Sequence, residues 1–309
     1  MPHWLIKSAL HRAASWLPQR QALNRIFQKW SHSVELQTEE FVRKINETRR
    51  QLDILHQNAP TAPAAFTALE VGTGWNPITP LALYLCGAAA IWSYDIEPLV
   101  NRTRLIRVSR LFAEFADAGR LDALLPDWQP ERLEVLRKIA SDTSELPPKE
   151  LLEPLEIHLR VQNAEHTEVK EGSIDLITTS AVLMYVPKLS LEGIYREFRR
   201  TAKPGAVMIH RLNFRDIYAY FDRNITPLNM LRFSPAAWRW LDSAVVPQNR
   251  LRVSDHRAMH QAAGFRIIAE EHESAPAEML SRVRLAKEFR GYAKEDILAL
   301  ESWLISLPV

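Results

Sequence analysis

The chain has 309 residues, 47% of them hydrophobic and 25% charged, with a formal net charge of +2 at pH 7. Such a length and apolar content support a substantial buried core, while the near-neutral balance argues for neither a nucleic-acid wrapper nor an acidic tail. A single cysteine, Cys86, excludes a disulfide framework and any multi-cysteine metal or iron–sulfur site, and points to a reducing, cytoplasmic compartment.

Residues 1–60 read as a helical N-terminal cap. Trp4, Leu5, Leu10, Trp16, Leu17, Leu23, Ile26, Phe27 and Trp30 recur at helical spacing, and residues 1–58 contain no glycine. Within residues 1–30 every charge is basic (Lys7, Arg12, Arg20, Arg25, Lys29), which allows a second reading as a peripheral contact with an anionic membrane surface. No apolar run approaches the roughly 20 residues needed to span a bilayer, and Lys7 and Arg12 interrupt the start, so neither a cleaved leader nor a membrane span is expected. The stretch APTAPAA (Ala59 to Ala65) reads as a linker into a second unit, residues 61–309.

From Phe66 onward short apolar strands alternate with helices. FTALEV is strand-like, PITPLALYL helical and AAIWSYD strand-like again, one βαβ unit of a parallel sheet. A mostly helical span, about 99–154, with PERLEVLRKIASD as its clearest helix, is longer than a crossover needs and reads as an insertion after strand 2. Strands are expected again at LEIHLRVQ and SIDLITTS, then the helix SLEGIYREFRRTA and the strand AVMIHRL. GFRIIAEE and SRVRLAKEF are the candidates for the last strands. The alternation specifies an α/β fold: a Rossmann-like, doubly wound sheet, mostly parallel.

The sequence LEVGTGWNP places two of only nine glycines one residue apart at the end of the first strand. In open α/β sheets a glycine turn at a strand's carboxyl end brings backbone close to a ligand and exposes the N–H groups of the next helix. Gly72 and Gly74 can take positive φ there, and Pro77 suits the first helical turn because no N–H is needed. A P-loop is excluded by the absence of the lysine that would follow. A dinucleotide loop wants glycine or alanine where Pro77 stands, which weakens the nicotinamide reading. Asp95 ends the next strand 25 residues after Glu70, where a carboxylate can accept from both hydroxyls of a ribose.

The ordered segments LEVGTGWNP, SYDIEP, VQNAE, GSIDLITTSAVLMYVP and REFRRTAKPGA resemble the motifs of class I S-adenosylmethionine-dependent methyltransferases over most of residues 66–275. The later run H…RD…YFD…LRFS…W…QNRLR and the GTGW-P loop resemble a bacterial subgroup acting in surface-polysaccharide or secondary metabolism. The resemblance implies a seven-stranded sheet, S-adenosylmethionine as cofactor, and no metal. It assigns Glu70, Gly72, Thr73 and Gly74 to the methionine end of the cofactor, Asp95 to its ribose, and Ile96 to the underside of its adenine. Asn163, Ala164 and Glu165 fall beside the adenine amino group, with Asn163 standing where the family commonly has aspartate. Ser180 and the AVLMY that follows it match the strand-four exit facing the methionine moiety and the acceptor. Asn76 replaces the third glycine of the common family loop.

Methyl transfer is a direct displacement in which alignment alone supplies about 7–11 kcal/mol, so a base is optional. For an oxygen or nitrogen acceptor the candidate catalytic residues are His210, Asp216 and Tyr185, of which histidine is the usual base near neutral pH. Cys86 lies after the glycine loop with no partner motif, which disfavours cytosine C5 chemistry. TTSAVLMYVP also lacks the Pro-Pro-aromatic exit of the family's base-amino methylating enzymes. Arg211, Arg215, Arg223, Arg232, Arg239, Arg250, Arg252 and Arg257, interleaved with Tyr218, Tyr220, Phe221, Phe233, Trp238 and Trp240, suggest a small acceptor, anionic or sugar-like. Nucleic acid is disfavoured by the net charge. An NAD(P)-dependent oxidoreductase and a non-catalytic binding protein of the same fold stay as alternatives. The oligomeric state is not legible.

Overall fold

The computed structural model describes residue 5 and residues 36–59, 65–242 and 247–309. The expected basic segment 1–30, Leu5 apart, and the inner part of the expected linker lie outside the described residues.

The helix α1 (Thr38–Asn58) precedes β1 (Thr67–Val71), α2 (Ile78–Leu85) and β2 (Ala90–Asp95). Four helices then fill the expected insertion: α3 (Arg102–Asp117), α4 (Leu121–Leu124), α5 (Pro130–Ala140) and α6 (Pro148–Leu152). Asn101 caps α3 by accepting from Arg104 N at 3.0 Å, and Pro130 opens α5, both at positions where a helix has N–H groups without internal partners. The remaining elements are β3 (Ile157–Val161), β4 (Ile174–Ser180), α7 (Lys188–Thr201), β5 (Ala202–Asn213), α8 (Pro235–Leu241), α9 (Val253–Ala262), β6 (Phe265–Ser274), α10 (Lys294–Leu298) and β7 (Ala299–Pro308).

The seven strands form one sheet in the order β3-β2-β1-β4-β5-β7-β6. The first five are mutually parallel, and β7 runs antiparallel to both β5 and β6. This is the expected doubly wound, mostly parallel α/β sheet, with its order reversing beside β1. One expectation is corrected. SRVRLAKEF is not a strand: Ala277–Arg282 and Lys287–Phe289 are short 3-10 turns, and the last strand is ALESWLISLP, β7. The alternation of SRVRLAKEF instead serves a small satellite core, in which Val283 and Phe289 pack with Leu231, Trp238 and Ile297.

Each sheet face has its own core. One joins Ala68, Leu176, Val207, Ile209 and Ile305 to α2, α3, α5 and α1. The other joins Leu69, Ile177, Met208 and Leu304 to Leu191, Ile194, Phe198 and Met259 of α7 and α9. Phe41, Ile45, Leu52 and Leu55 of α1 belong to the first core, and Phe41 meets Phe112 and Phe115 edge-on at 4.9 and 5.0 Å. The described helix of the expected cap thus packs directly on the sheet domain. Register then fixes which side chains share a face, because strand positions alternate. Glu70, Thr178 and Ile209 lie level with one another toward α1, whereas Val71, Thr179, His210 and Leu304 face α7 and α9.

Candidate active site

At the end of β1 the chain turns at once, with Gly72 at φ +97° and Gly74 at φ +68°. Both values lie in the left-handed region that L side chains avoid. A Cβ on Gly72 would sit 2.8 Å from Val182 Cβ, so glycine is what allows the loop after β4 to close against this turn. A Cβ on Gly74 would meet nothing within 4 Å; that side of the loop is open.

Asp95 closes the turn from β2. Its Oδ2 accepts from Gly74 N at 2.8 Å and its Oδ1 from Glu97 N at 3.1 Å. Each carboxylate oxygen has a further lone pair, so both can still accept from a ligand's hydroxyl groups. Burial pushes the Asp95 carboxyl above its usual range, and these backbone N–H groups pull it partly back. Beneath the loop Thr73 Oγ1 lies 2.6 Å from Ser93 Oγ, which donates to Glu70 Oε2 at 2.6 Å. Burial raises the Glu70 carboxyl, opposed by the Ser93 hydrogen bond and by the charge of Lys44 on α1.

Ile96, directly after Asp95, is 75% exposed, an apolar surface beside a polar turn. The β3 exit is brought alongside by Gln162 N, which donates to Asp95 O at 2.9 Å. There Ala164 is buried while Asn163 and Glu165 bond each other: Asn163 Nδ2 donates to Glu165 Oε1 at 2.7 Å, and Glu165 N to Asn163 Oδ1 at 3.0 Å. The Glu165 carboxyl is held below its usual range by Ser190 and Asn163.

Ser180 ends β4 on the α1 side, and its hydroxyl donates to Glu47 Oε2 at 2.8 Å. Glu47 Oε1 pairs with Arg211 at 3.2 Å and with Arg43. Arg211 in turn grips Glu301 through Nε at 2.9 Å and a second nitrogen at 2.6 Å. This carboxylate at the β4 exit, supplied by the N-terminal helix, is absent from the residues predicted from the sequence. Its only sequence signal is that Glu47 and Thr48 interrupt the apolar face of α1, where a purely structural helix would carry apolar residues.

The three predicted catalytic residues do not meet here. His210 is fully buried on the opposite sheet face, with Nδ1 2.8 Å from Thr179 Oγ1 and its ring against Tyr195, Phe198 and His260. Burial, then the neighbouring His260 and His256, hold its pKa well below the ordinary histidine value, and its Nε2 has no partner. It is a core imidazole, displaced from the α1 side of the sheet by one residue of strand alternation. Asp216 is also buried: its carboxylate accepts from Tyr218 N at 2.8 Å and Asn229 Nδ2 at 3.0 Å, holding the turn after β5. Tyr185 does lie at the β4 exit, in the turn Leu183–Tyr185, with its phenol pushed up to about 12 by burial and by Tyr220.

The predicted arginine cluster is largely consumed by structure. Besides Arg211, Arg215 pairs with Glu273 at 2.5 Å, Arg257 with Glu270, Arg250 with Glu288, and Arg252 donates only to main-chain carbonyls. Cys86 is not a nucleophile in waiting, since burial pushes its thiol up to about 12. Among the described residues no group of three or more His, Cys, Asp or Glu could hold a metal ion, and no helix is long and apolar enough to cross a membrane.

Residues 108–210 match the family described as a methyltransferase domain. The match begins inside α3 and ends at His210, so the glycine turn and Asp95 stand outside it on geometry of their own. Solved structures similar to this domain include an S-adenosylmethionine-dependent methyltransferase from Methanosarcina mazei, at 16% identity over 83% of this chain and 97% of that one, with TM-score 0.44. Another is the geranyl diphosphate C-methyltransferase of Streptomyces coelicolor, solved with Mg2+, geranyl diphosphate and S-adenosylhomocysteine, at 12% identity over 96% and 87%, TM-score 0.46. A third is an S-adenosylmethionine-dependent methyltransferase from Mesorhizobium loti, at 13% identity over 84% and 96%, TM-score 0.43. No curated protein matches the chain. The β1 and β2 ends would fit an adenosine-bearing cofactor. The open side of Gly74, the spare lone pairs of Asp95 and the exposed face of Ile96 are the features an adenosine requires.

Proposed function

We propose that this chain is a methyltransferase that modifies an oxygen or nitrogen atom of a small acceptor entering over the β4 exit, between Ser180, Tyr185 and the Glu47 carboxylate of α1. The observation that carries this reading is the Ser180–Glu47 hydrogen bond: it sets a buried carboxylate at the end of the strand beside the glycine turn. Asp95 would hold the ribose, Ile96 the adenine, Asn163, Ala164 and Glu165 the rim near its amino group, and Glu70, Gly72, Thr73 and Gly74 the methionine end.

S-adenosylmethionine, when bound, supplies a methyl group on a sulfonium that an acceptor lone pair displaces directly. The protein's task is alignment and exclusion of water, worth about 7–11 kcal/mol when the reacting atoms are well oriented. Glu47 can accept the hydrogen bond of an acceptor hydroxyl or amine and turn its lone pair inward. Tyr185, whose raised pKa keeps the phenol protonated at neutral pH, can only donate or orient. His210 and Asp216 take no part, because one faces away and the other is occupied by Tyr218 and Asn229.

The acceptor we favour is neutral and hydroxyl- or amine-bearing, sugar-like rather than strongly anionic, since Arg211, Arg215, Arg250 and Arg257 already have carboxylate partners. Calorimetric titration with S-adenosylhomocysteine, followed by a panel of sugar and amino-sugar acceptors scored by S-adenosylhomocysteine release, tests the reading. Binding and turnover are expected. Tight NAD(H) binding without S-adenosylhomocysteine binding would make the chain an oxidoreductase, and cofactor binding without turnover on any acceptor would make it a binding protein.

A further inference from the structure

The run QNRLR, Gln248 to Arg252, takes no part in the chemistry above, yet nearly every polar group in it reaches for main chain elsewhere. Gln248 accepts from Ile217 N at 3.0 Å and donates to Arg215 O at 2.6 Å. Arg250 donates to Met230 O at 3.2 Å and to Phe233 O. Arg252, wholly buried, donates to Phe214 O at 3.2 Å, Ile297 O at 2.9 Å, Asp296 O and Ala299 O. Asn249 differs from these in its target. Its Nδ2 donates to Leu183 O at 2.7 Å and Val186 O at 2.8 Å, and its backbone N to Met184 O at 2.8 Å. All three carbonyls belong to the one turn that follows β4.

We propose that Asn249 is a positioning residue for methyl transfer: by clamping the turn Leu183–Tyr185 from outside, it sets Val182 against Gly72 and Tyr185 at the acceptor mouth. The proposal rests on the transferase reading of the glycine turn. A single 3-10 turn forms too few internal hydrogen bonds to hold itself. This one is entered through Ala181, a non-glycine residue at φ +54°, whose backbone conformation is intrinsically unfavourable. Something outside must therefore fix it. On one side Ala181 N donates to Arg211 O at 2.8 Å; on the other stands Asn249.

Side-chain chemistry explains why the clamp is an asparagine. Two carbonyls converge on one nitrogen, which needs two N–H groups on a short, planar stem. Aspartate would turn a charged acceptor toward two carbonyl oxygens, and alanine would leave both without this partner. The clamp then reaches the cofactor loop through contact. A Cβ on Gly72 would lie 2.8–3.0 Å from the Cβ and both methyls of Val182, so the glycine turn and the clamped loop share one close-packed seat with no slack. Asn249 lies 66 residues from Leu183 in sequence, so this side chain ties a distant segment to the turn that packs against the cofactor loop.

The full-length chain, with S-adenosylhomocysteine as the probe, tests this through three variants: Asn249→Ala, Asn249→Asp and the control Gln248→Ala. Gln248→Ala also breaks staples but touches the 215–217 turn instead. At a temperature where all are folded, both Asn249 variants are expected to bind the probe roughly tenfold more weakly, and Gln248→Ala within about twofold of the original chain. Hydrogen exchange should quicken in peptides covering 181–187 and 71–76 for Asn249→Ala, and in neither for Gln248→Ala. Equal losses of affinity in the two Ala variants, or unchanged exchange at 71–76, would reduce Asn249 to a general structural residue and overturn the proposal. No probe binding by the original chain would overturn the transferase reading itself, while the exchange experiment still decides whether Asn249 holds the glycine turn.

Discussion

Gly72 and Asp95 shape the turn after β1 through opposite properties, one by lacking a side chain and the other by carrying two acceptors. Gly72→Ala would place a methyl 2.8 Å from Val182 in a backbone conformation that L residues resist, at a cost of about 1–3 kcal/mol. Its expected outcome is a lower melting temperature together with lost S-adenosylhomocysteine binding, both read on the same sample. Asp95→Ala removes the proposed ribose acceptor and should weaken S-adenosylhomocysteine binding by about 1–3 kcal/mol in calorimetry. Unchanged affinity in that folded variant would take Asp95 out of the site. Because burial raises the Asp95 carboxyl, probe binding should also fall as the pH drops at a value higher than an ordinary aspartate would give. His210 invites the opposite expectation: His210→Ala opens a cavity and strips Thr179 of a partner, so stability falls while the folded protein's probe affinity stays within about twofold.

Among elements, α1 does two things that are hard to separate. Its apolar face completes the core under β1 and β5, and its polar positions put Glu47 at Ser180 and Lys44 near Glu70. Phe41→Ala, deleting a wholly buried ring from a three-phenylalanine cluster, should cost about 3–5 kcal/mol in urea unfolding. The whole domain should still melt in one transition; a second transition assigned to the N-terminal helix alone would make that helix an independently folding cap. The segment after β5 is an element of a different kind. It owns a satellite core around Trp238 and Phe289 and is pinned to the sheet by the buried Arg252, whose burial lowers its pKa to about 10. Removing that guanidinium would strand four main-chain carbonyls at once.

Among the described residues, three buried histidines contribute to the response to acid. His256 and His260 are depressed to about 3 and His210 is also strongly lowered, in each case chiefly by burial. A folded pKa below the unfolded one means that the unfolded chain binds the extra protons. Stability is therefore complete above about pH 6.5 and is lost as pH falls through that value, at about 1.4 kcal/mol per pH unit for each histidine. Glu70, Asp95 and Asp216, whose carboxyls are raised, work the other way. Comparing the original chain with His260→Phe isolates the imidazole contribution: the variant's slope of unfolding free energy between pH 6.5 and 5 should be shallower by about that amount. Equal slopes would show that the histidines are not buried neutral.

The sequence by itself determined the parts that are local. A strand, a glycine pair, a helix and an acid at the next strand's end follow one another within Thr67 to Asp95, and period and turn chemistry suffice to read them. The helical insertion was legible for the same reason. Where a sequence signal had two structural meanings, tertiary packing chose between them. SRVRLAKEF alternates like a strand but feeds the satellite core, while ALESWLISLP, buried on both faces between β5 and β6, shows too little alternation to stand out. His210 and Arg211 are adjacent in sequence and face opposite sides of the sheet, a choice fixed by register with β4 and β7. Glu47 meets Ser180 across 133 residues, and Asn249 meets Leu183 across 66. Contacts of that kind leave no periodic trace in the chain, because what they require is a donor and an acceptor brought together by packing, and only the folded core brings them there.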